Sequence, residues 1–354
     1  MNSTLISIII PLYNHRQFVA ESLDSIFQQT YNNLELIVVD DGSTDDSGEF
    51  AQKILLDSPY PFQFIQQKNK GAHAAINRGI QAAKGDYLAI LNSDDRYVPR
   101  RIEVLYQQAK KTRARFLFSG VCHINADGMP LAPNTPHRYY YRICSKVTRF
   151  FPTPDFELLR HNRAFTSSNF FFHTTLVEEI GEFTSYITCH DWDYILRVML
   201  NESPKYIDQV LLDYRVHPGN TIKRENERRD QENDQVISNY LSEVNQASNP
   251  LVPGPAVWGA YWPIFREVYL KHLNHYPRTM KLLQATINQG SVSKNQSVMR
   301  GILKYQEFAD RGFNQFIWQE QEINNSAPDY KMQLHRIYVF LVGWLLGKIA
   351  WIYK

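Results

Sequence analysis

Leu88-Ala89-Ile90-Leu91-Asn92-Ser93-Asp94-Asp95 is an apolar run that stops at two adjacent carboxylates. Preceded by Gly85-Asp86, it predicts a buried strand whose last residues emerge at the edge of a sheet. Leu34-Glu35-Leu36-Ile37-Val38-Val39 repeats the pattern and ends in a second pair, Asp40-Asp41, followed by Gly42-Ser43-Thr44-Asp45. A third run, Ile6-Ser7-Ile8-Ile9-Ile10-Pro11, ends in Leu12-Tyr13-Asn14. In open α/β sheets, ligands lie outside the carboxyl ends of the strands, and paired carboxylates there suit a hard divalent cation carrying phosphate oxygens.

Helical patterns join these runs. Over residues 15–29, Phe18, Val19, Leu23, Ile26 and Phe27 fall on one face; over residues 71–84, Ala72, Ala75, Ile76, Ile80 and Ala83 do the same. The resulting β-α-β-α order predicts a mainly parallel sheet flanked by helices. Right-handed crossovers then bring the three strand ends side by side on one edge.

The ordered set Ser7 to Asn14, Val39-Asp40-Asp41-Gly42-Ser43-Thr44-Asp45, Asn69-Lys70-Gly71, Asn77-Arg78-Gly79-Ile80, Lys84-Gly85-Asp86-Tyr87 and Asn92-Ser93-Asp94-Asp95 resembles the motifs of family 2 glycosyltransferases. Further on, Gly181-Glu182-Phe183, Cys189-His190-Asp191-Trp192-Asp193 and Tyr214-Arg215-Val216-His217-Pro218-Gly219-Asn220-Thr221 continue the likeness, which stops there. The resemblance implies the Rossmann-like GT-A fold, a nucleotide-sugar donor and inversion at the anomeric centre. It implies a divalent metal, Mg2+ or Mn2+, held by Asp95, with His217 completing the shell or meeting a phosphate and Asp94 facing the ribose. Asp41 would accept a hydrogen bond from the nucleobase with Asp40 nearby, and Pro11 and Tyr13 would shape the base pocket. A carboxylate that accepts from a ring N–H suits uracil or thymine, and a UDP-sugar is the first expectation. Lys70, Asn77 and Arg78 would meet the donor, the two cations near its diphosphate. Asp191 would be the general base that takes the acceptor proton.

Three positions depart from the common family residues: Asn92 in the acidic motif, Ile76 where Arg is frequent before Asn77, and His190 where Glu precedes the base. They motivate one alternative, a degenerate glycan-binding or scaffold protein. A nucleotidyltransferase is another, though Pro11-Leu12-Tyr13-Asn14 offers no Gly-rich basic loop after the first strand. Each carboxylate also has an ordinary structural use. Asp is common in turns, Ser43, Thr44 and Asp45 are good helix N-caps, and Asp191 at a helix start would favour the helix dipole.

The 354 residues allow a large buried core, and a formal net charge of +2 gives no reason to expect a nucleic-acid partner. Cys122, Cys144 and Cys189 are scattered and form no metal-ligand spacing, which points to a reducing compartment. Met1-Asn2-Ser3-Thr4 runs directly into the first strand without a basic leader, so the expected location is cytoplasmic.

Residues 1–222 read as the catalytic domain, 223–330 as a linker and helical extension, and 331–354 as an apolar, aromatic C-terminal helix. Within the extension, residues 223–234 are a dense mixed-charge run with the pattern of a solvated linker or exposed helix. In the last segment Lys348 interrupts the apolar run, while Trp344, Trp351 and Tyr353 suit an interfacial helix at the inner face of a membrane as well as a core or dimerisation helix. An interfacial helix would favour a lipid-linked acceptor. Residues 118–166, with Arg138-Tyr139-Tyr140-Tyr141-Arg142, are the expected acceptor region.

Overall fold

The computed structural model describes residues 4–132, 155–160, 162–220, 226–254 and 277–279. The Arg138 to Arg142 stretch, most of the extension and the 331–354 helix lie outside the described residues.

The strands are β1 (Ile6–Leu12), β2 (Leu34–Asp40), β3 (Phe62–Gln66), β4 (Tyr87–Ile90), β5 (Arg96–Tyr97), β6 (Phe116–Ile124), β7 (Phe171–His173) and β8 (Lys205–Arg215). The helices, in chain order, are α1 (Val19–Phe27), α2 (Ser47–Leu55), α3 (Ala72–Ala82), α4 (Arg101–Thr112), α5 (Asp155–Arg160), α6 (Thr175–Ile180), α7 (His190–Asn201) and α8 (Asn226–Glu243). The strands form one mixed sheet in the order β3-β2-β1-β4-β7-β6-β8-β5. β3, β2, β1 and β4 are parallel, and β7 is antiparallel to both β4 and β6.

The chain first winds outward from β1 through β2 to β3, then returns to place β4 on the other side of β1. The crevice beyond the β1 and β4 ends is therefore a topological switch point, the place where this class of sheet binds ligands. The three runs read from the sequence do end side by side, with Asp41 N donating to Leu12 O and Leu91 N to Ile9 O.

Alternation along the strands decides which face each side chain covers. Ile8, Ile10, Leu36, Val38 and Ala89 pack with Val19, Leu23 and Ile26 of α1 on one face. Ile9, Ile37, Val39, Leu88 and Ile90 pack on the other with Ala75 and Ile76 of α3 and Ile195 of α7. All seven residues of β1 and of β2 are buried, as a sheet covered on both faces requires. The mixed-charge run leads into α8, whose Val236, Ile237, Tyr240 and Leu241 share the second core with β1 and α7.

Candidate active site

The β1 end turns at Asn14, which adopts a left-handed φ of 52°. Asn14 Oδ1 accepts from Thr44 N at 2.8 Å, and Asn14 N donates to Ser43 Oγ at 3.0 Å. His15 N donates to Ser47 Oγ at 2.9 Å, so the loops after β1 and β2 are stitched together. Tyr13 stands 44% exposed above this seam, while Pro11 is buried within β1 beneath it. Neither Asp40 nor Asp41 caps α2: its N-cap position is Asp46, whose side chain makes no cap bond, and Asp45 just before it accepts from Ser47 N at 3.1 Å.

Asp40 and Asp41 are both buried. Asp40 accepts from Ser43 N and from Gln66 Nε2. Asp41 organises the loop before α3: Oδ1 accepts from Gln67 Nε2 at 2.8 Å and Lys70 N at 2.9 Å, and Oδ2 from Gly71 N at 2.8 Å. Gly71, at φ 93°, is the residue that can make this turn.

The acidic pair after β4 divides its work. Asp95 is fully buried; Oδ2 accepts from Ser168 Oγ at 2.6 Å and Oδ1 from Arg215 N at 2.9 Å. Burial, reinforced by the neighbouring Asp94 charge, drives its pKa well above the ordinary carboxylate value. Asp94 instead faces the crevice. Its Oδ2 lies 3.1 Å from His217 Nε2 and 3.9 Å from His15 Nε2. Burial works to raise the Asp94 pKa, but the charges of His15 and His217 and the His217 hydrogen bond outweigh it and hold the carboxyl below its usual value.

His15, Asp94 and His217 offer ligand atoms that all lie within 4.8 Å of one another, a set that could hold a metal ion. Two nitrogens and one carboxylate oxygen at that spacing fit a single first-row divalent ion. His15 is also steadied by its Nδ1, 2.8 Å from Ser93 Oγ, which leaves Nε2 for a cation. Asp95, the expected ligand, is bonded into the scaffold by Ser168 and Arg215, while Asp94, expected at the ribose, stands with His15 and His217 in the set that could hold a metal ion.

Two supports of this turn were not anticipated from sequence. Arg215, fully buried at the end of β8, donates from Nε to Asp94 O at 2.7 Å, from Nη1 to Ala126 O at 2.7 Å and from Nη2 to Glu21 Oε2 at 2.8 Å. The 3-10 turn Ser167–Asn169 supplies the second. Asn92 Nδ2 donates to Thr166 Oγ1 and Asn92 Oδ1 accepts from Ser167 Oγ, so an amide is needed there and a carboxylate could not donate. Ile76, another departure, is fully buried in the core, where a guanidinium would find no water.

Along the exposed side of α3, Lys70, Asn77 and Arg78 line a groove of about 630 Å³ with His73, Glu182 and Phe183. Asn77 is spent on backbone: its Nδ2 donates to Phe183 O and its Oδ1 accepts from Phe183 N, both at 2.8 Å. Neither Lys70 nor Arg78 reaches the acidic cluster through an ion pair among the described residues.

Asp191 lies in the first turn of α7, and its Oδ1 accepts from Trp192 N at 2.7 Å. Desolvation pushes its pKa up to about 7, against hydrogen bonds from Trp192 and Asn162 that oppose the rise. A carboxyl poised near neutrality is suited to general-base work. Burial, with the nearby His73 second, lowers the adjacent His190 to about 4, so this imidazole is neutral at physiological pH. Asp193 faces away, accepting from Thr184 Oγ1 at 2.7 Å and Arg197 Nε at 2.9 Å.

These features define an α/β protein with a candidate cation site at the switch point of its sheet. Residues 7–181, just under half of this chain, match the family model described as Glycosyl transferase family 2. Glycosyltransferase GlyG of Streptococcus pneumoniae is 43% identical over 113 residues, 32% of this chain and 37% of the relative, so the chain spans well under half of GlyG. An uncharacterised glycosyltransferase of Rickettsia typhi is 30% identical over 222 residues, 62% of this chain and 66% of the relative. Among solved structures, a mannosyltransferase from Pyrobaculum calidifontis, in complex with GDP-Man and Mn2+, superposes with a TM-score of 0.56 at 15% identity, over 97% of this chain and 86% of that one. The fold is GT-A. Among the described residues, no helix is long and apolar enough to cross a membrane.

Proposed function

We propose that this chain transfers a sugar from a nucleotide-diphosphate donor, with a UDP-sugar as first choice, to a hydroxyl of a glycan or glycolipid acceptor, with inversion. The observation that carries this reading is the meeting of His15, Asp94 and His217 beyond the β1 and β4 ends, in a chain whose residues 7–181 match the family model. A divalent ion held by these three residues would neutralise diphosphate oxygens and ease departure of the nucleotide. Mixed nitrogen and oxygen donors favour Mn2+ over Mg2+, which keeps to oxygen. The GDP-Man and Mn2+ named for the Pyrobaculum structure fit the same class of donor and ion.

Asp41 Oδ2 carries one internal hydrogen bond where Oδ1 carries two, which leaves an acceptor position for a base N–H. Asp40 steadies the strand end beside it, Pro11 and Tyr13 bound the base, and Lys70 and Arg78 supply positive charge toward the phosphates. Asp191 takes the acceptor hydroxyl proton as that oxygen bonds to the anomeric carbon. The bond to the diphosphate breaks on the opposite side, and its electron pair leaves with the nucleotide.

The test is release of nucleotide diphosphate from UDP-GlcNAc, UDP-glucose, UDP-galactose and GDP-mannose with Mn2+, by wild type and Asp191→Asn. Turnover of one donor, abolished by the substitution with donor affinity kept, is the expected result. Binding without turnover of any donor would favour the non-catalytic alternative.

A further inference from the structure

Helix α8 begins in the mixed-charge run and lies beyond the residues matched to the family. One face of it is apolar, with Val236 and Tyr240 in the core shared with α7. Glu232 stands one turn before Val236 on that same face, and its side chain is only 11% exposed. A carboxylate on an apolar stripe needs donors, and here they come from another element.

Glu232 Oε1 accepts from Ile187 N at 3.0 Å, and Oε2 from Thr188 N at 2.8 Å and Thr188 Oγ1 at 2.7 Å. Cys189 Sγ lies 3.8 Å from Oε2, and Arg228 Nε donates to Oε1 at 3.1 Å. The Ile187 to Cys189 turn leads directly into His190 and Asp191, and Cys189, the N-cap of α7, makes no side-chain cap of its own. The same turn reaches the donor side: a Cβ built on Gly71 would stand 3.7 Å from Ile187 Cδ1, and Gly71 N is the group bonded to Asp41. His73 of α3 and His190 also face Glu232.

We propose that Glu232 is a positioning residue for the transfer reaction. From α8 it fixes the turn before α7 and so holds Asp191 in register with the nucleotide-binding loop at Gly71. The proposal rests on the reading of Asp191 as general base. It also gives the charged start of α8 a part in the active site.

The chemistry separates this role from simple packing. Glu232→Gln keeps the shape but turns an NH2 donor toward backbone N–H donors, so one side of the clamp is lost. The experiment uses the full chain with Mn2+ and whichever of UDP-GlcNAc or GDP-mannose is turned over. It compares wild type, Glu232→Gln and Asp191→Asn by kcat, donor KM, pH profile and amide exchange across residues 186–190. Misplacement of a reacting group by about 1 Å can cost about a hundredfold in rate. Glu232→Gln is therefore expected to lower kcat by about ten- to a hundredfold, leave donor KM within about twofold, move the ascending limb of the pH profile and speed exchange at Ile187 and Thr188.

Thr188→Val, which deletes one donor of the clamp, carries the same test at smaller size if Glu232→Gln does not fold. Wild-type kcat and pH profile in Glu232→Gln, with Asp191→Asn inactive, would overturn the proposal and leave the base assignment standing. Full activity in Asp191→Asn would overturn the base assignment itself and the proposal with it.

Discussion

Asp191→Asn should make the protein more stable as it makes it inactive, and the gain should depend on pH. The carboxyl is raised from the ordinary 3.8 to about 7 by burial. At 1.36 kcal/mol per pKa unit, that shift corresponds to about 4 kcal/mol against the ionised form in the folded chain. Below pH 3.8 the folded and unfolded chains both hold the proton, and the site costs nothing. Between there and about pH 7 the unfolded chain has released its proton and the folded one has not, so stability falls as pH rises. Above pH 7 the cost is complete and constant. Asparagine keeps the acceptor for Trp192 N and carries no charge. Urea unfolding of the two proteins should therefore agree near pH 4 and differ by about 4 kcal/mol at pH 8, with transfer reduced about a hundred- to ten-thousandfold. Equal stability at pH 8, or the same gain at both pH values, would show that burial does not raise the Asp191 carboxyl.

Other outcomes follow from the packing around the site. Arg215→Met removes charge-assisted hydrogen bonds to three carbonyls and to Glu21, and should lower unfolding free energy by about 3 kcal/mol; a change under about 1 kcal/mol in urea melts would show the guanidinium to be dispensable. Gly79→Ala would ordinarily favour a helix by about 1 kcal/mol. Here the new methyl overlaps Ile9 Cγ2 in the core, so a net loss of about 1–3 kcal/mol is expected, without a change in nucleotide affinity measured by calorimetry. His15→Ala should weaken Mn2+ binding at least about tenfold in a metal titration at pH 7.5, and unchanged affinity would remove His15 from the ligand set.

The parts of this fold that could be read from sequence are those governed by local pattern. The apolar runs before Asp40-Asp41 and Asn92 to Asp95 carry their own boundaries, and the right-handed crossover rule brings β2, β1 and β4 together without further information. Asp94 and Asp95 differ in role because consecutive residues on a turn point in different directions, and the sequence does not say which one meets the crevice. His15 gave no signal of its own. It joins the candidate cation set because the loop after β1 lies across the switch point from the loop after β4. Arg215 and the Thr166 to Asn169 turn act on Asp94 and Asp95 only through tertiary contacts across 75 to 120 positions, as the bonds of Ser167 to Asn92 and of Arg215 to Asp95 illustrate. In α8, the charges of residues 223–234 mask a stripe whose apolar members begin only at Val236.

On the proposed function, His15, Asp94 and His217 hold the divalent ion of a nucleotide-sugar site. Thermal unfolding with UDP, with and without Mn2+, on wild type and Asp94→Asn tests it most directly. At about 100 times its dissociation constant, UDP should stabilise the wild type by about 2.7 kcal/mol in the presence of Mn2+. Asp94→Asn is expected to fold normally and to lose the metal-dependent part of that shift. The same Mn2+-dependent shift in Asp94→Asn as in wild type would contradict the ligand set.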